Sequence, residues 1–172
     1  MSEQKRFLLS LLGLVVVVLL GRQLYQYVAY RDERALLVGL REEVVDAGAE
    51  VTRTRQESDS LRALVEAANG ELEQNVRVLR RYNRIARGGM LPPDVYARYA
   101  QDRARYEETL RRQEEWAGTW KGVVARNHGA VDRYNRLADS IRAVAARIGD
   151  PYYSVPLPAE AAAERGVPVR RR

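Results

Sequence analysis

The chain of 172 residues has no cysteine, one histidine and one phenylalanine. Without cysteine there is no disulfide scaffold, no thiolate-held iron–sulfur cluster and no thiol nucleophile. A single imidazole, His128, excludes the usual histidine-rich zinc sites and any mechanism that needs two. Lysine occurs only at positions 5 and 121, and proline is absent between Leu24 and Arg87. No Gly-rich phosphate loop, HExxH, GxSxG or Asp-rich calcium loop is found. At this length one modest domain is expected, not two ordinary ones.

Charge is plentiful: 29 Lys and Arg against 23 Asp and Glu give a net +6. Counted in three stretches, residues 1–30, 31–150 and 151–172 each carry an excess of two. The middle stretch, with 22 basic and 20 acidic side chains, is nearly balanced. A nucleic-acid-binding module usually gathers its cations on one face or element. Duplex binding is therefore disfavoured.

The longest apolar run, FLLSLLGLVVVVLL, extends from Phe7 to Leu20 without a charge and follows Lys5 and Arg6. Fourteen residues are short for a bilayer crossing, which takes about 20. Snorkelling of Arg22 extends the run toward Leu24 and Tyr25, and Tyr25, Tyr27 and Tyr30 fall where an aromatic belt is expected. The expectation is an uncleaved, single-pass N-terminal anchor. A cleaved signal peptide and a buried soluble helix are the competing readings, the first weakened by the lack of a small-x-small site after the run. Flanking basic residues lean slightly toward a cytoplasmic body.

From Leu24 to Arg87, apolar residues such as Leu37, Leu40, Val44, Ala47, Val51, Leu61, Val65, Ala68, Leu72, Val76, Leu79, Tyr82 and Ile85 recur at spacings of three and four. This is the pattern of a helix with one apolar stripe. TRTRQESDS, residues 52–60, is wholly polar, and a helix break or a wet stretch of bundle is expected there. ARGGMLPPD, Ala86 to Asp94, punctuates the chain: Gly88 and Gly89 supply a left-handed cap, Pro92 and Pro93 forbid continuation, and Asp94 can cap the next start. A second pattern runs from Val95 to Ile148, with Gly118 and Gly122 marking a kink or loop. Two long arms joined by a short turn should pack antiparallel, because each stripe needs a partner. Beyond Gly149, DPYYSVPLP reads as extended and AEAAAERG as one or two helical turns. VPVRRR reads as a mobile tail. The expected organisation is an anchor and juxtamembrane segment over 1–30, a long-helix bundle over 31–149 and a Pro-rich, basic tail over 150–172. The fold class is all-α, a transmembrane helix followed by an elongated antiparallel hairpin.

An internal echo links NVRVLRRYNRIA, Asn75 to Ala86, with NHGAVDRYNRLA, Asn127 to Ala138. Either a duplicated unit presents two Tyr–Asn sites, Tyr82–Asn83 and Tyr134–Asn135, or these side chains close contacts between the arms by hydrogen bonds. The second is favoured. Trp116 and Trp120 share a helix face as core anchors or, alternatively, as an exposed docking patch. His128, lacking an identified carboxylate partner, reads as a surface or interhelix hydrogen-bonder.

Three segments carry a family resemblance. DSLRALVEAANG, Asp59 to Gly70, resembles a signature stretch of the LemA family: Asp59, Leu64, Val65, Glu66 and Gly70 fall in register, and Arg62 replaces a proline. In LREEVVDAGAEV, Leu40, Arg41, Val44, Ala47 and Ala49 match, with Gly48 in place of a tryptophan. In NHGAVDRYNRLADSI, the matching residues are Ala130, Val131, Tyr134 and Asn135. The resemblance implies a bacterial membrane protein with an N-terminal anchor and an elongated antiparallel bundle. It transfers no catalytic residue.

Acidic pairs such as Glu66 with Glu73, or Glu107, Glu108, Glu114 and Glu115, recur at helical spacing. A di-iron bundle pairs Glu-x-x-His elements from two helices, which one histidine cannot supply. No cofactor is expected. The functional expectation is a non-enzymatic, membrane-anchored scaffold or interaction protein of the bacterial envelope, partnered by the lipid bilayer and by other proteins or copies of itself. The alternatives are a secreted or periplasmic coiled-coil adaptor and a carboxylate–metal bundle enzyme.

Overall fold

The computed structural model describes residues 3–86, 89–150 and 153–168, with the side chains of 3–10, 22, 23, 26 and 27 outside the described set. Four helices follow in order: α1 (Glu3–Ala29), α2 (Arg31–Ala86), α3 (Pro93–Arg147) and α4 (Pro158–Glu164). Among the described residues there is no strand. α2 and α3, of 56 and 55 residues, are each about 80 Å long at 1.5 Å per residue. They form one antiparallel hairpin. As the α2 partner moves from Thr54 to Ser58 to Tyr82, its α3 partner moves from Asn127 to Trp120 to Asp102.

α2 is continuous through residues 52–60, where a break was one expectation. The polar stretch is accommodated because part of it faces α3. Thr54 is buried there, and its hydroxyl accepts from Asn127 Nδ2 at 3.0 Å while donating to a carbonyl of its own helix. Four residues on, Ser58 Oγ accepts from Trp120 Nε1 at 3.0 Å. Hydrogen bonds supplement apolar contact along this part of the seam, where Val123 is fully buried. α3 likewise runs through Gly118 and Gly122 without a loop. Its first turn lacks a side-chain cap. Pro92 occupies the cap position, and Asp94 lies within the first turn.

The apolar core lies at the base of the hairpin, next to the start of α2. Leu37, Val44, Ile141 and Val144 form its centre, flanked by Leu40, Tyr134, Leu137, Ile148, Tyr153 and Val155. α3 ends there in a left-handed glycine: Gly149 has φ +74°, with Gly149 N–H donating to Ala146 O and Asp150 N–H to Ala145 O. This paired termination turns the chain back on itself. The following segment returns along the bundle, burying Pro156, and α4 packs on α2. Gly166, φ +67°, ends α4 in the same way.

α1 is different. Among the described residues it meets only α2, and every large apolar side chain from Leu11 to Leu20 is 47–66% exposed. Among the described residues, no helix is long and apolar enough to cross a membrane. Phe7 to Ser10, the start of the charge-free run, and Tyr27 have side chains outside the described set.

Candidate functional site

Three regions bring polar or aromatic groups together: the base, the middle of the seam and the tip. At the base, Gly48 makes close approach possible. A β-carbon there would lie 2.7 Å from Ala161 Cβ and 3.2 Å from Pro158 Cα. α4 occupies the space that a side chain at this position would take. Thr52 Oγ1 lies 2.9 Å from Pro158 O, and Gln56 Nε2 donates to Pro168 O. The end of the chain is thus tied to α2 as far as Pro168. Arg170 to Arg172 lie outside the described residues. Arg165–Asp46 at 2.8 Å and Arg41–Glu164 at 3.4 Å flank α4. Both pairs are roughly half exposed, so they orient α4 more than they stabilise it. An open groove of about 360 Å³ between them has Val38, Val45 and Tyr153 on its walls.

Tyr134 links α3 to the returning segment, donating from its hydroxyl to Pro156 O at 2.9 Å. Burial is the main cause that raises its phenol above the usual tyrosine range; Glu160 adds to the rise and Arg142 opposes it. Its counterpart in the sequence echo, Tyr82, sits toward the other end of the rod and donates to Asp102 Oδ2 at 2.8 Å. That bond holds the phenol proton and raises Tyr82 as well, with Arg98 opposing. The two tyrosines therefore meet different acceptors at opposite ends, and the echo does not build two equivalent sites. Asn83 and Asn135 are exposed.

In the middle of the seam, Trp120 is half-buried and bonded to Ser58, while Trp116 is half-buried one turn away. His128 is exposed and borders a shallow groove of about 290 Å³ with Val51, Arg55, Ser58 and Asn127. No carboxylate lines that groove to orient the imidazole. Among the described residues, no buried side-chain polar atom lacks a partner, and no group of three or more acidic or histidine side chains is placed to hold a metal ion.

The tip contains what the segment-by-segment charge count concealed. Tyr82 and Tyr99 meet edge to face at 5.6 Å, with Tyr96 beside Tyr99 at 6.3 Å. Around them, residues 77–105 hold eight arginines and two aspartates. That excess of six equals the excess of the whole chain, so the remainder is balanced. A charge window of about 30 residues, instead of a count over 31–150, would have found it.

No family model, curated protein or solved structure matches the chain. The functional reading rests on this geometry and on the sequence.

Proposed function

We propose that the protein is a membrane-anchored helical spacer, non-enzymatic, that seats α1 in a bilayer and carries interaction surfaces along a rigid α2–α3 rod. The observation that carries this reading is the uncovered apolar surface of α1. From Leu11 to Leu20 the helix is apolar on all sides, and among the described residues no other element covers it. A helix hydrophobic all round requires an apolar surrounding. Leu24, Tyr25 and Val28 continue the exposed apolar surface past Arg22. The described part of α1 falls short of a crossing by itself; counted from Phe7 to Val28, Arg22 included, the helix rises about 33 Å, comparable to a hydrocarbon core. The LemA-type segments, with their implied bacterial envelope setting, belong to the same proposal.

The rod suits a spacer. Its seam is closed by reciprocal side-chain bonds, and its exposed faces are laced with ion pairs such as Arg62–Glu66 and Arg103–Glu107. The test is fractionation of the full chain. Membrane association should resist alkaline and high-salt washing and be released by detergent. Val16→Arg with Val17→Arg should abolish it, because each arginine at mid-span costs about 3 kcal/mol. Native full-length protein recovered in the soluble fraction without detergent would refute the anchor. A mature N-terminus downstream of Gly21 would replace the reading with a released coiled-coil adaptor.

A further inference from the structure

We propose that the tip of the hairpin is a second docking surface, built to engage an anionic lipid membrane about 80 Å along the rod from α1. The surface is independent of how α1 is seated.

The first observation is charge without compensation. Near the tip, the ion pairs of the described residues are Arg77–Glu73 and Arg103–Glu107. Arg80, Arg81, Arg84, Arg98 and Arg105 are exposed and have no carboxylate within 4.0 Å among the described residues. The helix dipole accounts for cations in the last turns of α2. It does not account for Arg98 and Arg105 on the N-terminal half of α3, near the end where cations gain nothing from the dipole. An external anion source explains both arms together.

The second observation is exposed apolar surface at the turn that those cations flank. Met90 in the turn is 98% exposed, Tyr96 60% and Ile85 55%. Exposed apolar side chains at a turn flanked by guanidinium groups match the two layers of a bilayer interface: the acyl boundary and, above it, the phosphates. Nucleic acid fits less well. The Tyr82 and Tyr99 rings are engaged with each other, so the exposed Tyr96 is not continued into a row of open aromatic faces for successive bases.

Full-length protein reconstituted in neutral phosphatidylcholine vesicles is tested for capture of fluorescent target vesicles, either neutral or containing about 30% phosphatidylglycerol. The anionic targets should be captured and the neutral ones not, with capture weakening as salt rises. Arg80→Gln, Arg81→Gln and Arg84→Gln together should weaken capture on the order of a hundredfold, at about fivefold per arginine. Arg53→Gln, Arg133→Gln and Arg136→Gln, the same charge removed from the shaft, should leave it nearly unchanged. Met90→Ser should weaken capture several-fold at constant charge. Unchanged helical circular dichroism verifies that each variant is folded. Should the chain stay out of the neutral vesicles, its own sedimentation with anionic or neutral vesicles provides the same comparison, so failure of the anchor is read separately. Equal capture of neutral targets, equal losses from tip and shaft variants, or displacement by a single-stranded oligonucleotide would each overturn the proposal.

Discussion

Replacing Gly48 and Gly70 by alanine, one at a time, separates helix propensity from close packing within a single helix. Both glycines lie inside α2, and alanine is favoured over glycine in a helix interior by about 1 kcal/mol. Gly70 has nothing within 4 Å of the site of its missing β-carbon. Gly70→Ala should therefore deliver the propensity gain undiminished, about 2–4 °C in Tm for a chain of this size. At Gly48 the added carbon would meet Ala161 Cβ at 2.7 Å and Pro158 Cα at 3.2 Å. Carbon atoms in good contact stand about 3.5–4.0 Å apart, so α4 must retreat by about 1 Å. Neither neighbour is the end of a flexible side chain that could swing away; both belong to the α4 unit. Overpacking of this kind costs about 1–3 kcal/mol, and the retreat also lengthens the contact between Thr52 Oγ1 and Pro158 O, now 2.9 Å. A weakened hydrogen bond adds about 1 kcal/mol. Set against the propensity gain, the net loss is about 1–3 kcal/mol. Thermal unfolding followed by circular dichroism, in one detergent for all three proteins, should place Gly48→Ala below the parent and Gly70→Ala above it. Equal gains for both variants would refute the close seating of α4 on α2.

Tyr134→Phe should cost about 1–2 kcal/mol in urea unfolding, because Pro156 is buried and its carbonyl loses its phenolic donor. Phenol titration followed by ultraviolet absorbance should show Tyr82 and Tyr134 ionising above the usual range, and the late step should shrink in Tyr134→Phe. Their folded pKa values lie above the unfolded value of 10.0, so the folded chain holds these protons longer than the unfolded one. The associated stability is complete below pH 10 and is lost as pH rises through the folded values. A flat stability profile from neutral pH to beyond that window would contradict this. Asn127→Ala should cost about 1–2 kcal/mol, since it removes the amide donor shared by Thr54 Oγ1 and Val51 O while Thr54 keeps its bonds to carbonyls of its own helix. A loss several times larger would mean that the seam depends on Asn127 for more than these bonds.

What the sequence disclosed and what it withheld divide along a physical line. Periodicity is a property of one segment, so the two long arms, and the turn punctuated by Gly89 and Pro92, were legible. Gly149 was legible as a stop because glycine alone is at ease with φ +74° where α3 must end. The short helix in AEAAAERG was also legible, but its docking was not. Alanines such as Ala161 and Ala162 carry no stripe strong enough to name a partner, and the complementary signal was a missing side chain, Gly48. The polar stretch after Val51 left both a break and a wet stretch of bundle open because periodicity counts only apolar contacts, whereas Thr54, Ser58, Trp120 and Asn127 bridge the arms there by hydrogen bonds. The tip was hidden for a related reason. Antiparallel pairing sets the end of α2 beside the beginning of α3, so two arginine-rich stretches on either side of a turn become one surface. Averaged over 31–150 they vanish against acidic residues that the fold leaves far down the rod. Charge, unlike helix period, acquires its meaning only after the chain has been folded back on itself.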